Sequence, residues 1–118
     1  MKILLGFIFV FLSSCSSNVD SQNVDSLYAE VINGNAVFLD VREKSEVDSG
    51  MIDGAIWIPT SKLNQSESDF INSVKTKTQG KNVYVYCVAG GRAGKVAKIL
   101  NNAGITAKNV GGYSSLKK

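Results

Sequence analysis

The sequence predicts one α/β domain: a largely parallel central sheet of about five strands with helices on both faces. Three observations lead there. Helix-like and strand-like segments alternate from about Asn23 to the C-terminus. The strand-like runs are short, continuous and apolar, as strands covered on both sides are. The chain has 118 residues and no internal repeat, which is room for one domain and not for two. Its apolar fraction is 44%, but part of that sits in the first twelve residues, so the remaining core is modest.

Each element has its own warrant. Val24, Leu27, Tyr28, Val31 and Ile32 recur at helical spacing, and Asn33-Gly34-Asn35 stops that helix. Ala36-Val37-Phe38-Leu39-Asp40-Val41 suits a buried strand. Glu43 to Ser49 is polar and helix-compatible, and Gly50 ends it. Ala55-Ile56-Trp57-Ile58 is a second short strand, closed by Pro59. Leu63, Phe70, Ile71 and Val74 predict a helix ending near Gly80. Val83-Tyr84-Val85-Tyr86 is the strongest strand signal, being all β-branched or aromatic. A glycine-rich turn follows, then a helix from Ala93 to Asn102 with Val96, Ile99 and Leu100 on one face. Ala103-Gly104 caps it, and Ile105 to Val110 forms a last strand before Gly111-Gly112.

The N-terminus reads as an address. Lys2 is followed by ten mostly apolar residues, Ile3 to Leu12, and then by small ones. A helix of ten residues spans roughly 15 Å, about half a bilayer's hydrocarbon core, which argues against a membrane-spanning anchor. Leu12-Ser13-Ser14-Cys15 resembles the bacterial lipobox. That resemblance implies a lipoprotein signal peptide over residues 1–14, cleavage before Cys15 and lipidation of that cysteine. A plain signal peptide with an incidental cysteine is the alternative. Residues 15–23 are polar and read as a flexible tether, with the folded domain over 24–118. The expected location is the periplasm-facing side of a bacterial membrane. Ser16 lacks the aspartate associated with inner-membrane retention, which points to the outer membrane.

Composition excludes several chemistries. The chain has no histidine, so neither a Ser-His-Asp or Cys-His site nor a His-ligated zinc site can be built. No metal or cofactor is expected. A net charge of +3 without a basic stripe gives no nucleic-acid signal. Cys15 and Cys87 are the two cysteines, so one disulfide is compatible with composition. A lipidated Cys15 would leave Cys87 a lone thiol in an oxidising compartment, where it is either buried or used.

The chemistry concentrates in Tyr86-Cys87-Val88-Ala89-Gly90-Gly91-Arg92-Ala93-Gly94. Cys87 ends the best strand, and in open α/β sheets ligands bind at that edge. Gly90 and Gly91 let the backbone curl so that N–H groups point inward. A helix starts at once, aiming its N-terminal partial charge at the same spot. The result is a cradle for negative charge around one sulfur, and nucleophilic chemistry there needs no histidine base. The reading requires that solvent can reach the thiol. The simpler alternative is a buried packing thiol, since free cysteine behaves as a small hydrophobe. Arg92 closes the cradle. Arg42 follows another strand and is expected at the same edge, where a guanidinium suits forked contacts to oxyanions or carboxylates.

Two motifs then resemble the single-domain rhodanese family. Asp40-Val41-Arg42, Glu46, Gly50, Ile52, Gly54-Ala55 and Ile58-Pro59 follow the pattern D-V-R, a glutamate, G-H-I-x-G-A and I-P. Cys87-Val88-Ala89-Gly90-Gly91-Arg92-Ala93 follows the active-site loop C-x-x-G-x-R-S/A. The resemblance implies a rhodanese-like fold and a sulfurtransferase. Cys87 would hold sulfane sulfur as a persulfide, the N–H groups of Val88, Ala89, Gly90, Gly91 and Arg92 would surround it, and Arg92 would help bind the donor. It implies an anionic donor such as thiosulfate and a thiol, cyanide or partner-protein acceptor. Asp40, Arg42 and Glu46 are expected as one supporting ion-pair and hydrogen-bond set. The six-residue span from Cys87 to Arg92 favours sulfur over the larger oxyanions of phosphatase-like and arsenate-reducing members. A non-catalytic sulfur carrier or anion-binding module is the alternative. Met51 stands where histidine is usual, Trp57 where asparagine is frequent, and Tyr113 is the nearest aromatic to the family's C-terminal tryptophan. Val88 and Ala89 are neutral where some thiosulfate-using members carry a cation.

Overall fold

The structure, a computed structural model, describes residues 23–118. The expected leader, Cys15 and the tether up to Gln22 lie outside the described residues. The elements run α1 (Val24–Ile32), β1 (Ala36–Asp40), α2 (Lys44–Val47), β2 (Ile56–Trp57), α3 (Thr60–Gln65), α4 (Glu67–Thr78), β3 (Asn82–Cys87), α5 (Gly91–Asn102), β4 (Ala107–Gly112) and α6 (Tyr113–Leu116). The four strands form one sheet in the order β2-β1-β3-β4, with every neighbouring pair parallel.

The sheet therefore has four strands among the described residues, not about five. Among the described residues no further segment is a strand: Val24–Ile32 is helical, and α3 and α4 fill most of the stretch between β2 and β3. That stretch also differs from expectation. The single helix predicted before Gly80 is two, broken at Ser66, whose extended backbone (φ −160°) cannot continue α3. Its hydroxyl instead accepts the Asp69 N–H at 3.3 Å and starts α4.

Helices cover both faces, as the continuous apolar strands require. On one face Leu39, Val83, Val85 and Cys87 pack with Leu63, Phe70, Val74, Val96 and Leu100 from α3, α4 and α5. On the other, Phe38, Tyr84 and Tyr86 pack with Leu27 of α1 and Leu116 of α6. Burying each such side chain stabilises the fold by about 1.5–3 kcal/mol. Because β1 and β3 are central and parallel, Asp40 and Tyr86 stand side by side. Cys87 follows at the same carboxyl edge of the sheet.

Candidate functional site

Cys87 is the last residue of β3, and its sulfur lies under the turn into α5. Two backbone amides donate to Sγ: Gly90 at 3.0 Å and Ala93 at 3.4 Å. Of the five amides expected from Val88 to Arg92, only Gly90 makes this contact; Ala93 was not anticipated. The reason is helical geometry. Ala93 lies in the first turn of α5, where N–H groups have no intrahelical acceptor and are free to meet an anion.

The two loop glycines are not equivalent. Gly90 caps α5 with φ +108°, a conformation that side-chain-bearing residues rarely adopt. Gly91 is already the first helical residue, and a Cβ there meets nothing within 4 Å. The second indispensable glycine lies across the sheet. A Cβ on Gly112 would sit 2.1 Å from the Val88 carbonyl oxygen, so only glycine lets β4 pass beneath the loop.

Arg92 spans from α5 to α2. Its two terminal nitrogens donate to the two carboxylate oxygens of Glu46 at 2.8 and 2.9 Å, a forked pair with each side chain about a third exposed (35% and 31%). Hydrogen bonding from Arg92, supported by the Glu43 N–H at 2.8 Å, holds the Glu46 carboxyl down at about 2. Glu46 in turn raises the Arg92 guanidinium, to which the nearby Cys87 sulfur also contributes. Glu43 reaches the other way, accepting from the Thr60 hydroxyl at 2.9 Å and the Ser61 N–H at 3.0 Å.

Arg42 is not an oxyanion ligand in this arrangement. It is 3% exposed. Its guanidinium is spent on Asp40 (2.7 Å), the Gly50 carbonyl (2.7 Å) and the Glu46 carbonyl (3.3 Å), and lies over the Tyr113 ring at 4.3 Å. The expected single set of Asp40, Arg42 and Glu46 is thus two sets. Asp40 and Arg42 form the buried one, while the Glu46 carboxylate belongs to Arg92. Tyr86 completes the buried set by accepting the Ile52 N–H at 3.1 Å. Its burial pushes the phenol well above its usual range. Trp57 donates from Nε1 to the Arg42 carbonyl at 2.8 Å.

The sequence reading requires solvent access to the thiol, and the structure goes against that expectation: the sulfur lies under the turn into α5, closed in by the loop and the packed sheet face. Cys87 is 1% exposed, whereas Val88 next to it in the chain is 50% exposed. Val88 and Ala89, the two neutral residues that follow the cysteine, are exposed, and neither donates to Sγ.

A cysteine without another among the described residues, at the carboxyl edge of a parallel sheet and held by the amides of a strand–loop–helix turn, defines the class of site: an anion cradle centred on sulfur. The chain belongs to the rhodanese-like domain family, which it matches over residues 23–118. It is 39% identical over 71 residues to the Bacillus subtilis protein YqhL, covering 60% of this chain and 51% of that one. The chain thus spans about half of YqhL. It is 36% identical over 88 residues to thiosulfate sulfurtransferase 16, chloroplastic, of Arabidopsis thaliana, covering 69% of this chain and 73% of that protein. Among solved structures, the rhodanese-like domain protein of Staphylococcus aureus superposes with a TM-score of 0.65 at 29% identity, over 80% of this chain and 88% of that one.

Proposed function

We propose that this chain is a sulfurtransferase that carries sulfane sulfur on Cys87. The observation that carries the reading is the pair of amides, Gly90 and Ala93, converging on Sγ at the start of α5. They stabilise negative charge on the sulfur in both of its working forms, thiolate and persulfide. In the first step the Cys87 thiolate attacks the outer sulfur of thiosulfate. The S–S bond of the donor breaks, sulfite leaves with the electron pair, and Cys87 becomes a persulfide anion. In the second step cyanide, a thiolate or a partner protein attacks the outer sulfur, and the Cys87 thiolate is regenerated. The N–H groups of Gly91 and Arg92, which have no bonded partner among the described residues, serve the outer sulfur. Arg92 draws the anionic donor. Lipidated Cys15 holds the domain at the periplasmic face of a bacterial membrane.

Cys87→Ser tests this directly. It should reduce thiocyanate formation from thiosulfate and cyanide to background, and intact-mass analysis of the native chain after thiosulfate should show a gain of about 32 Da on Cys87, one sulfur atom. Retained turnover in Cys87→Ser overturns the assignment.

One observation favours a second reading, a non-catalytic carrier or anion-binding module: Cys87 is almost wholly enclosed. The same mass measurement separates the two. A sulfur gain with turnover supports the enzyme, a gain with negligible turnover supports a carrier, and no gain from thiosulfate or a persulfide supports a binding module.

A further inference from the structure

Asn109 of β4 is a polar side chain in a strand that is otherwise apolar on its inward face, and it is only 4% exposed. Both ends of its amide are used. Nδ2 donates to the Gly90 carbonyl at 2.9 Å, and Oδ1 accepts the Gly111 N–H at 3.0 Å. The pairing of β3 with β4 shifts at this point: Val85 faces Asn109, but Cys87 faces Gly112. Two residues of β3 are therefore matched by three of β4, a bulge of the kind that re-aims backbone beside a site.

We propose that Asn109 is the positioning residue of the sulfur cradle; the inference rests on the sulfurtransferase reading above. The Gly90 carbonyl is held by Asn109 and by the Gly94 N–H, each at 2.9 Å. In a trans peptide the N–H points opposite to the carbonyl. Fixing the Gly90 oxygen against β4 and α5 therefore turns the Gly91 N–H the other way, away from the sheet. The same anchor holds Gly90 itself, whose own N–H meets Sγ. At its other end, Asn109 fixes the turn at Gly111 (φ +100°), which brings Gly112 under the Val88 carbonyl. One side chain thus ties down both halves of the loop, Val88 through Gly112 and Gly90 directly. A buried amide that satisfies two backbone groups in this way rigidifies what it holds.

Asn109→Ala removes both contacts. Asn109→Ser keeps an acceptor within reach of the Gly111 N–H but loses the donor to Gly90, and it is measured alongside in case Asn109→Ala does not fold. Leu27→Ala, in the core of the opposite face, controls for lost stability. The readouts are the pH profile of Cys87 alkylation by iodoacetamide and the single-turnover rate of sulfur loading from thiosulfate. Both Asn109 variants should move the alkylation midpoint upward by about half a unit or more. They should slow loading about tenfold or more, as expected when reacting groups lose their alignment. Leu27→Ala should lower the melting temperature and move neither. Asn109 variants with a native alkylation profile overturn the inference even if the native chain loads sulfur. A native chain that never loads sulfur overturns the sulfurtransferase reading, while the alkylation profiles still decide the role of Asn109.

Discussion

Arg42 and Arg92 stand at the same edge of the sheet and each meets a carboxylate, yet their surroundings make them different devices. Arg42 is 3% exposed and pairs with Asp40, which is fully buried. Every polar atom of that guanidinium meets a partner or faces an aromatic ring. Arg92 and Glu46 form a better fork, but about a third of each stays in water. A buried pair is a structural commitment, because neither partner can leave without stranding a charge. A pair that keeps about a third of its surface in water costs less to open and can be exchanged for an incoming anion. The same two groups thus build a rivet at the end of β1 and an exchangeable pair near Cys87, which under the proposed function is the donor-binding arm.

Breaking the rivet should have the larger effect on stability. Arg42→Ala leaves the Asp40 carboxylate unpaired in the core and should destabilise the fold by about 3–5 kcal/mol. That is a large share of a small domain's usual 5–15 kcal/mol, roughly, and urea unfolding measures it. A loss under about 1 kcal/mol would show that the two pairs are alike. Arg92→Ala should behave in the opposite way. Its stability cost should stay within about 1 kcal/mol, while thiosulfate turnover falls about tenfold to a hundredfold. Steady-state kinetics beside a urea melt separates the two effects, and a variant that loses stability but keeps its turnover refutes the division.

The smallest effect sharpens the comparison by pH. The Glu46 carboxyl is held at about 2 in the folded chain, below its ordinary 4.5. A depressed carboxylate contributes stability that is fully present above the ordinary value and fades as pH falls through the folded one. Glu46 should therefore contribute part of the loss of melting temperature between pH 5 and pH 2, a window set by those two values. Glu46→Gln should show a shallower acid slope there. Identical slopes would mean that the Arg92 fork is absent in solution.

How much was legible in advance follows from how far apart in the chain the partners lie. The cradle could be read because Cys87, Gly90, Arg92 and the start of α5 are contiguous, and a strand–glycine–helix junction has few ways to fold. Ala93 was missed because its contact with Sγ depends on where the first turn of α5 begins, which no spacing rule fixes to one residue. Asn109 was missed because its partner Gly90 is nineteen residues away. A signal did exist: in Ala107-Lys108-Asn109-Val110 the inward positions of the strand include an asparagine, and a buried amide must find partners. Ser66, followed three residues later by Asp69, likewise marked the break between α3 and α4.

The amino-acid order alone determined the alternation of helix and strand, the parallel sheet covered on both faces, and a single sulfur at a glycine turn. Those follow from hydrophobic period and backbone freedom, which are local properties of a chain. Tertiary structure alone decided which carboxylate each arginine takes, which amides meet the sulfur, how deeply that sulfur is enclosed, and that β4 reaches across to hold the loop. These are pairings between distant segments, and burial, which sets their strength, exists only once the segments have packed together.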